Sequence, residues 1–521
     1  MFSTTRTRAS FLLAPLALAL ACGGGDGGDG GPTGGTIRSE WNVASIQLGE
    51  ILEIDVEALD SAGNPATFTV SGGGDCASVT ASGDAITVVA GTALCEQRIV
   101  ITSSTNVTKE LTVNVFDPMV MDIGDGLLIK YVNDYTWQWN DDDSGGTYYI
   151  AYWHPVSNTA DGWYPVGSLA RNTWNSPIPT VPMVVVKDSL GTGALAAPTD
   201  YVLVYNDVGS GGIHDGSMWK PVCPAGYVAL GVVTNRGYGK PSLDAVRCVE
   251  ASYTTPGTIG NWLYDDRNTG ADRYLSLWEI DYPDYTSSPD GRAALHAGTT
   301  LGCPGWAKTS CDPAIVNLLL VPVPVMTNAD ASDLEPRLTG YQELDVSKAR
   351  YFSSVRLPFT LISQQAPASA PDRVEWNVHS SPFYTLQREE VYTPIDIIDH
   401  RQGTEPAVYT YSITTGLSAT ETDRFWLEVG LEVTAGGGAN FLGSGGSWEV
   451  KLTTKLGWEQ TTSSTYAQSV TRDYQFTIPP GEYAEIIQVT TQFRAVSWGG
   501  FTFNDPLRGS SNIIKYLQYP P

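Results

Sequence analysis

The side chains best suited to covalent or metal chemistry in this 521-residue chain are seven cysteines and five histidines. His154, His214, His296, His379 and His400 lie far apart, and none sits in a His-Glu-x-x-His pattern or beside a nucleophile motif. There is no Gly-x-Ser-x-Gly elbow, and the runs Gly72-Gly73-Gly74 and Gly436-Gly437-Gly438 lack the Lys-Ser/Thr of a phosphate loop. No catalytic residue, no metal site and no cofactor is therefore expected, and the chain does not read as an enzyme. His154, between Trp153 and Pro155, reads as the edge of an aromatic core. Asp141-Asp142-Asp143, with Asp134 and Asn140 nearby, and Asp265-Asp266 lack the ligand spacing of a calcium loop and read as solvated acidic turns. Apart from Cys22, the cysteines show no Cys-x-x-Cys and no His at zinc spacing. Sequence proximity favours Cys76 with Cys95, Cys223 with Cys248, and Cys303 with Cys311: three structural disulfides in an oxidising compartment.

Charge narrows the partners. Thirty basic residues against 56 acidic ones give a net charge of −26, which repels polyanions and excludes nucleic acid as a partner, since that affinity comes from Lys and Arg displacing counterions. Hydrophobic residues make up 42%, with 15 Trp and 26 Tyr, enough to bury several cores. The 54 Gly and 32 Pro, with no heptad pattern, predict an all-β chain with many turns. At the N-terminus Arg6 and Arg8 precede an apolar run ending in Leu18-Ala19-Leu20-Ala21-Cys22, which resembles a bacterial lipoprotein signal. The expectation is a leader over 1–21, lipidation at Cys22, a glycine-rich tether over 22–35, and export to the outer membrane or cell surface, with release by proteolysis as an option.

Four stretches follow from composition. Residues 36–117 carry short alternating runs such as Ile51-Leu52-Glu53-Ile54-Asp55-Val56, separated by turn signals, and predict an immunoglobulin-like sandwich acting as a stalk. Residues 118–335 turn rich in Trp, Tyr, Gly and Pro, and repeat themselves. Tyr152-Trp153-His154-Pro155 is followed by Gly162-Trp163-Tyr164-Pro165-Val166-Gly167, and Met218-Trp219-Lys220-Pro221 by Gly226-Tyr227-Val228-Ala229-Leu230-Gly231. A weaker third copy runs from Leu277-Trp278-Glu279-Ile280 to Leu295-His296-Ala297-Gly298, and predicts three sheet units about one shared core. With Asp200-Tyr201-Val202-Leu203-Val204-Tyr205 and Lys240-Pro241-Ser242-Leu243-Asp244-Ala245-Val246-Arg247-Cys248-Val249, residues 122–323 resemble the vacuolar protein sorting-associated protein 62 family. The resemblance implies a β-prism-like domain with three sheet repeats. If that domain binds sugar, Trp163, Tyr164 and Tyr238 are the aromatic candidates, although the Gln-x-Asp-x-Asn-x-Val-x-Tyr pattern is absent.

Residues 336–521 switch to long Ser/Thr-rich alternating strands. On one arm Phe425, Leu427, Val429, Leu431 and Val433 share a face; on the other Trp448, Val450, Leu452, Leu456 and Trp458 do. Each arm has the length a tilted strand needs to cross hydrocarbon. Ala435 to Gly446 reads as a turn between them, with Phe441-Leu442 at its tip. The same alternation also suits a soluble sandwich with its apolar face inward. Thr410-Tyr411-Ser412-Ile413-Thr414-Thr415, Leu456-Gly457-Trp458-Glu459 and Phe476-Thr477-Ile478-Pro479-Pro480-Gly481 make residues 382–496 resemble the aerolysin-like pore-forming toxins. That resemblance implies an elongated β module which binds membrane lipid or a surface glycan through its companion domain, forms homo-oligomers and inserts the hairpin. The alternative is a cell-surface adhesin or glycan-binding lipoprotein that never makes a pore.

Overall fold

The computed structural model describes residues 35–39, 43–74, 76–281, 292–322, 338, 340–344, 351–361, 369–415, 431–433, 438–442, 449–455, 470–497 and 507–519. Strands dominate, as the glycine and proline content requires, and one α-helix occurs among the described residues, Arg373–Ser380.

Alternation builds the first unit. Along Ile51–Leu59, Ile54, Val56 and Ala58 are buried while Glu53, Asp55 and Glu57 face water. Two four-stranded sheets result. One runs Thr36–Ser39, Ile51–Leu59, Ala85–Ala90, Ala77–Ser82; the other runs Val43–Gln47, Thr108–Phe116, Cys95–Ser103, Phe68–Ser71. Ile54, Ile86, Ile99, Ile101, Leu111 and Val113 fill the space between them, so residues 36–116 form a sandwich, tied by Cys76–Cys95.

The second unit is threefold. Each copy contributes a pair of sheets, and one sheet of every pair has the same plan: a bulged hairpin plus a short third strand. The copies are Tyr135–Asn140, Ala151–Pro155 and Leu169–Arg171; Asp200–Asn206, Gly216–Val222 and Val233–Arg236; Thr258–Asp265, Ser276–Asp281 and Leu301–Cys303. The register slips between Trp137 and Trp139, Leu203 and Tyr205, and Trp262 and Tyr264, so the bulge itself is repeated. The copies meet on an axis closed by a backbone ring: Ser168 N–H donates to Val232 C=O (2.8 Å), Val232 N–H to Thr300 C=O (3.2 Å) and Thr300 N–H to Ser168 C=O (3.2 Å). Tyr152, Tyr205, Tyr264, Met218, Leu277 and Leu301 from all three copies share the core around it. This is the prism expected from the repeat. Cys223–Cys248 and Cys303–Cys311 brace copies two and three.

The third unit is long rather than closed. Its main sheet runs Tyr351–Pro358, Phe383–Asp399, Tyr483–Val496, Leu507–Tyr519, all antiparallel. A two-stranded ribbon, Ala407–Thr415 with Val470–Ile478, packs Tyr409, Tyr411, Phe476 and Ile478 in one cluster with Ile398, Ala484 and Ile486 of the main sheet. Residues Leu431–Val433, Gly438–Leu442 and Glu449–Lys455 make a three-stranded meander. Gly438–Leu442 is thus a strand and not the turn that its glycines suggest, because it finds a hydrogen-bonding partner on both edges.

One arginine joins the three units. Arg356 donates to the carbonyls of Val120 (2.6 Å), Asp117 (3.0 Å) and Pro118, and its guanidinium lies 5.2 Å from the Phe116 ring and 4.7 Å from Phe383. Burial lowers its pKa to about 9, against the opposing field of the Asp117 carboxylate. Tyr131 of the prism adds an edge contact to Phe359 (4.8 Å) and a hydroxyl contact to Thr360 (2.6 Å).

Candidate functional site

The same turn is built three times at the end of the prism where the bulged hairpins fold over. Asp141, Asp207 and Asp266 open it; Ser144, Ser210 and Thr269 follow three residues on; Gly145, Gly211 and Gly270 come next, with φ of 71°, 73° and 75°. Only glycine takes that backbone without strain, which is why the turn is spelled Asp-x-x-Ser/Thr-Gly each time. Each aspartate carboxylate accepts the backbone N–H nine residues ahead: Ile150 (3.0 Å), Gly216 (2.9 Å) and Leu275 (2.9 Å).

The three turns then lock to one another in a ring. Ile213 N–H donates to Asp142 C=O (3.0 Å), Asp272 N–H to Val208 C=O (2.7 Å), and Thr147 N–H to Arg267 C=O (3.2 Å). Side chains repeat the circuit beneath: Trp139 Nε1 donates to Asp207 (3.1 Å), Tyr264 hydroxyl to Asp141 (3.5 Å), and Tyr205 lies in the field of Asp266. Burial raises the pKa of all three carboxyls, against the pull of the N–H groups they accept. Burial likewise pushes Tyr152, Tyr205 and Tyr264 well above the usual phenol range. At this end carboxylates anchor the turns.

The periphery is aromatic. Trp174 Nε1 donates to Asp141 and Trp306 Nε1 to Asp266, both at 2.6 Å, which fixes each indole from behind. Tyr149 meets Trp174 with ring centroids 4.7 Å apart, and Tyr274 meets Trp306 at 4.6 Å. The tyrosines are 60% and 59% exposed, and both tryptophans 39%. In copy two Tyr238 stands where the others have Trp, and its hydroxyl donates to Asp215 (2.9 Å), which occupies the tyrosine position.

The expected residues distribute unevenly. The three cysteine pairs are bonded as proximity suggested. Trp163 is 8% exposed, with the Lys130 ammonium 4.4 Å from its ring, and Arg247 covers Tyr164 at 3.6 Å, so neither presents an open face; Tyr238 does remain exposed. His154 is half-buried, with Nδ1 against Ser168 Oγ (2.8 Å) and Nε2 against the Ala245 carbonyl (3.2 Å), and desolvation of its ring lowers its pKa to about 4. Among the described residues, no cluster of His, Cys, Asp and Glu could hold a metal, and no helix is long and apolar enough to cross a membrane. Leu431, Val433, Phe441, Leu442, Val450 and Leu452 lie on the strands of the meander, while Cys22, Phe425, Leu427, Val429, Trp448, Leu456 and Trp458 lie outside the described residues. Sequence reasoning singled out Asp141 and Asp266 separately and missed Asp207. The shared Asp-x-x-Ser/Thr-Gly spelling was the available signal.

Comparison with solved structures finds GNIP1Aa from Chromobacterium piscinae, 26% identical, covering 37% of this chain and 35% of that one, with a TM-score of 0.31. This chain therefore spans about a third of GNIP1Aa. It also finds Cry35Ab1, 12% identical, covering 77% of this chain and 91% of that one, with a TM-score of 0.30. No curated protein matches. Residues 102–307, which hold all three Asp-x-x-Ser/Thr-Gly turns and both Tyr–Trp pairs, match the family model described as vacuolar protein sorting-associated protein 62.

Proposed function

We propose that the chain is an exported, non-enzymatic β-pore-forming protein of the toxin type, tethered through Cys22 and directed to its target by the prism. One observation carries the reading: the amphipathic segment is spliced into the end of a ribbon whose register is already set. Thr415 pairs with Val470, so residues 416–469 leave and re-enter the fold side by side. Continuing that register places Leu427 opposite Trp458, Val429 opposite Leu456, Val433 opposite Leu452 and Ala435 opposite Val450, with the bend at Phe441 to Ser444. Residues directly opposite in an antiparallel pair share a face, so both apolar sets fall on one side. Slipping the register by one residue would put them on opposite sides. Glu428, Glu432, Lys451 and Lys455 share the other side, which would line water. The apolar side also continues that of Tyr409, Tyr411 and Ile413 on the ribbon, since the alternation stays in phase.

In the soluble fold the segment is stored as a meander of different register, with Leu431 opposite Phe441 and Val450 opposite Phe441. Insertion would exchange those short pairings for one long hairpin closed against neighbouring copies, as hydrocarbon demands of any backbone within it. The test is dye release from phosphatidylcholine–cholesterol vesicles by the full chain. Val429→Lys places a charge against lipid, at about 2–4 kcal/mol per subunit near the midplane, and is expected to abolish release while Glu432→Gln preserves it. Release that survives Val429→Lys overturns the hairpin; no release from neutral or anionic vesicles returns the chain to the adhesin reading.

A further inference from the structure

The three copies of the prism turn are nearly interchangeable, so their differences are informative. In copy three the Arg267 guanidinium sits 5.2 Å from the Trp306 ring, held by its own ion pair to Asp265 (3.3 Å), so that indole already has a cation from its own chain. In copy one the residue equivalent to Arg267, directly after the anchoring aspartate, is Asp142. Trp174 is thus the same indole, held by the same bond to an aspartate and set against the same tyrosine, with an acidic residue at the chain position that supplies the cation in copy three. Copy two offers only one ring, Tyr238, tied by its hydroxyl to Asp215. One aromatic corner of the three is left open.

We propose that Tyr149, Trp174 and Asp142 form a binding site for a quaternary ammonium group, supplied by the choline headgroup of a target membrane. The physical argument is direct. Two half-exposed rings at 63° offer electron-rich faces to a cation too bulky and too weakly hydrated to prefer water. The neighbouring acid raises the local negative potential, and the chain's net charge of −26 disfavours an anionic ligand in the same place. Trp306 with Arg267 shows what such an indole binds when the cation is provided. The rigid anchor matters too, because a ring fixed from behind loses little freedom on binding. This site deepens the membrane-targeting reading above, and its test is separate from pore formation.

The experiment uses the full chain and free phosphocholine, followed by saturation-transfer NMR and calorimetry, with tetramethylammonium as the minimal cation and 3,3-dimethylbutan-1-ol as its neutral isostere. Phosphocholine and tetramethylammonium are expected to bind and the isostere to bind at least about tenfold more weakly, the range set by cation–ring attraction. Tyr149→Ala should weaken binding about fivefold or more. Asp142→Arg, which copies the arrangement around Trp306, should abolish it while circular dichroism and the thermal midpoint stay unchanged. Equal binding of the isostere, binding unaffected by Asp142→Arg, or glucose, galactose or mannose competing at the same concentration would overturn the proposal, the last in favour of a glycan site. Phosphatidylcholine vesicles sedimenting the protein, with phosphatidylglycerol vesicles failing to, identify the lipid as the source; binding of free phosphocholine with neither vesicle sedimenting overturns the lipid assignment. Phosphocholine binding without dye release would sink the pore and leave this site standing.

Discussion

The prism turns and the segment between Thr415 and Val470 are both made of short strands and glycine, yet the fold treats them in opposite ways. At the prism every element is held twice: the backbone ring through Asp142, Val208 and Arg267 lies over carboxylates that each hold an N–H nine residues ahead. Symmetry makes each turn the support of the next, so none can move alone. The meander strands Leu431–Val433, Gly438–Leu442 and Glu449–Lys455 are joined by pairings of three and four residues, in a register different from that of the ribbon. Thr415 and Val470, which flank it, pair with each other, so the proposed long hairpin would have to replace these short pairings. A threefold closed shape suits recognition by a fixed surface, and a segment held by short pairings suits the change of register proposed above.

The sharpest way to break this contrast is to make one register covalent. Val433 and Leu452 lie on strands separated by Gly438–Leu442, about 10 Å across two strand spacings, beyond the span of a disulfide. In the extended hairpin they are opposite. Val433→Cys with Leu452→Cys should stay reduced in the soluble protein and oxidise on membranes, read by thiol labelling and gel mobility. If the pair oxidises in solution as fast as on vesicles, the segment has no stored register and the contrast fails.

The next largest effect tests how firmly the carboxylates hold the prism. Asp266→Ala strands the Leu275 N–H and the Trp306 indole N–H, and is expected to cost about 2–4 kcal/mol in urea unfolding. Removing Asp473, which accepts only the exposed Ser412 hydroxyl on the ribbon, should cost under about 1 kcal/mol. Equal costs would mean that the two regions are held alike.

A smaller effect isolates the backbone. Gly211→Ala meets no atom within 4 Å, so any loss reflects φ of 73° alone, about 1–2 kcal/mol. A loss near zero would show that the turn tolerates another conformation.

How much of this was legible depended on whether a signal is local. Alternation along Ile51–Leu59 and the nearness of Cys303 to Cys311 are read within a few residues, and both hold in the structure. Trp153, Trp219 and Trp278 marked the repeat correctly because each sits mid-strand at the same place, opposite the first residue of the third strand: Leu169, Val233 and Leu301. The anchoring aspartates were harder: Asp141 sits in an acidic run and Asp266 beside Asp265, so charge hid a turn motif that Asp207 shows plainly. Trp163 looked like a ligand platform because nothing in sequence reveals that Lys130 and Lys187 converge on it. The strand at Gly438–Leu442 was illegible for a different reason. Its glycines favour a turn, and the pairing on both edges that makes it a strand comes from partners that sequence does not assign.

The smallest effect separates the regions by acid. Burial raises the folded pKa of Asp141, Asp207 and Asp266 above the unfolded value, so the folded prism binds protons more tightly than the unfolded chain does. Their contribution is fully present below the unfolded pKa, near 3.8, and is lost as pH rises through the folded values. Asp399 behaves in reverse: the Arg401 guanidinium holds it at about 2, so its contribution is present above 3.8 and lost as pH falls towards 2. On acidification from neutral the three prism carboxyls act against His154 and His296, whose rings are held at about 4 by burial and whose contribution, present above 6.5, is lost as pH falls towards 4. Asp266→Asn keeps Oδ1 as acceptor for Leu275 and Trp306 while removing the titration, so the urea midpoint of the wild type is expected to gain on that of the variant as pH falls towards 3.8. A gap between the two midpoints that stays constant with pH, or narrows in acid, would show that the N–H donors outweigh burial and that Asp266 does not strengthen the prism in acid.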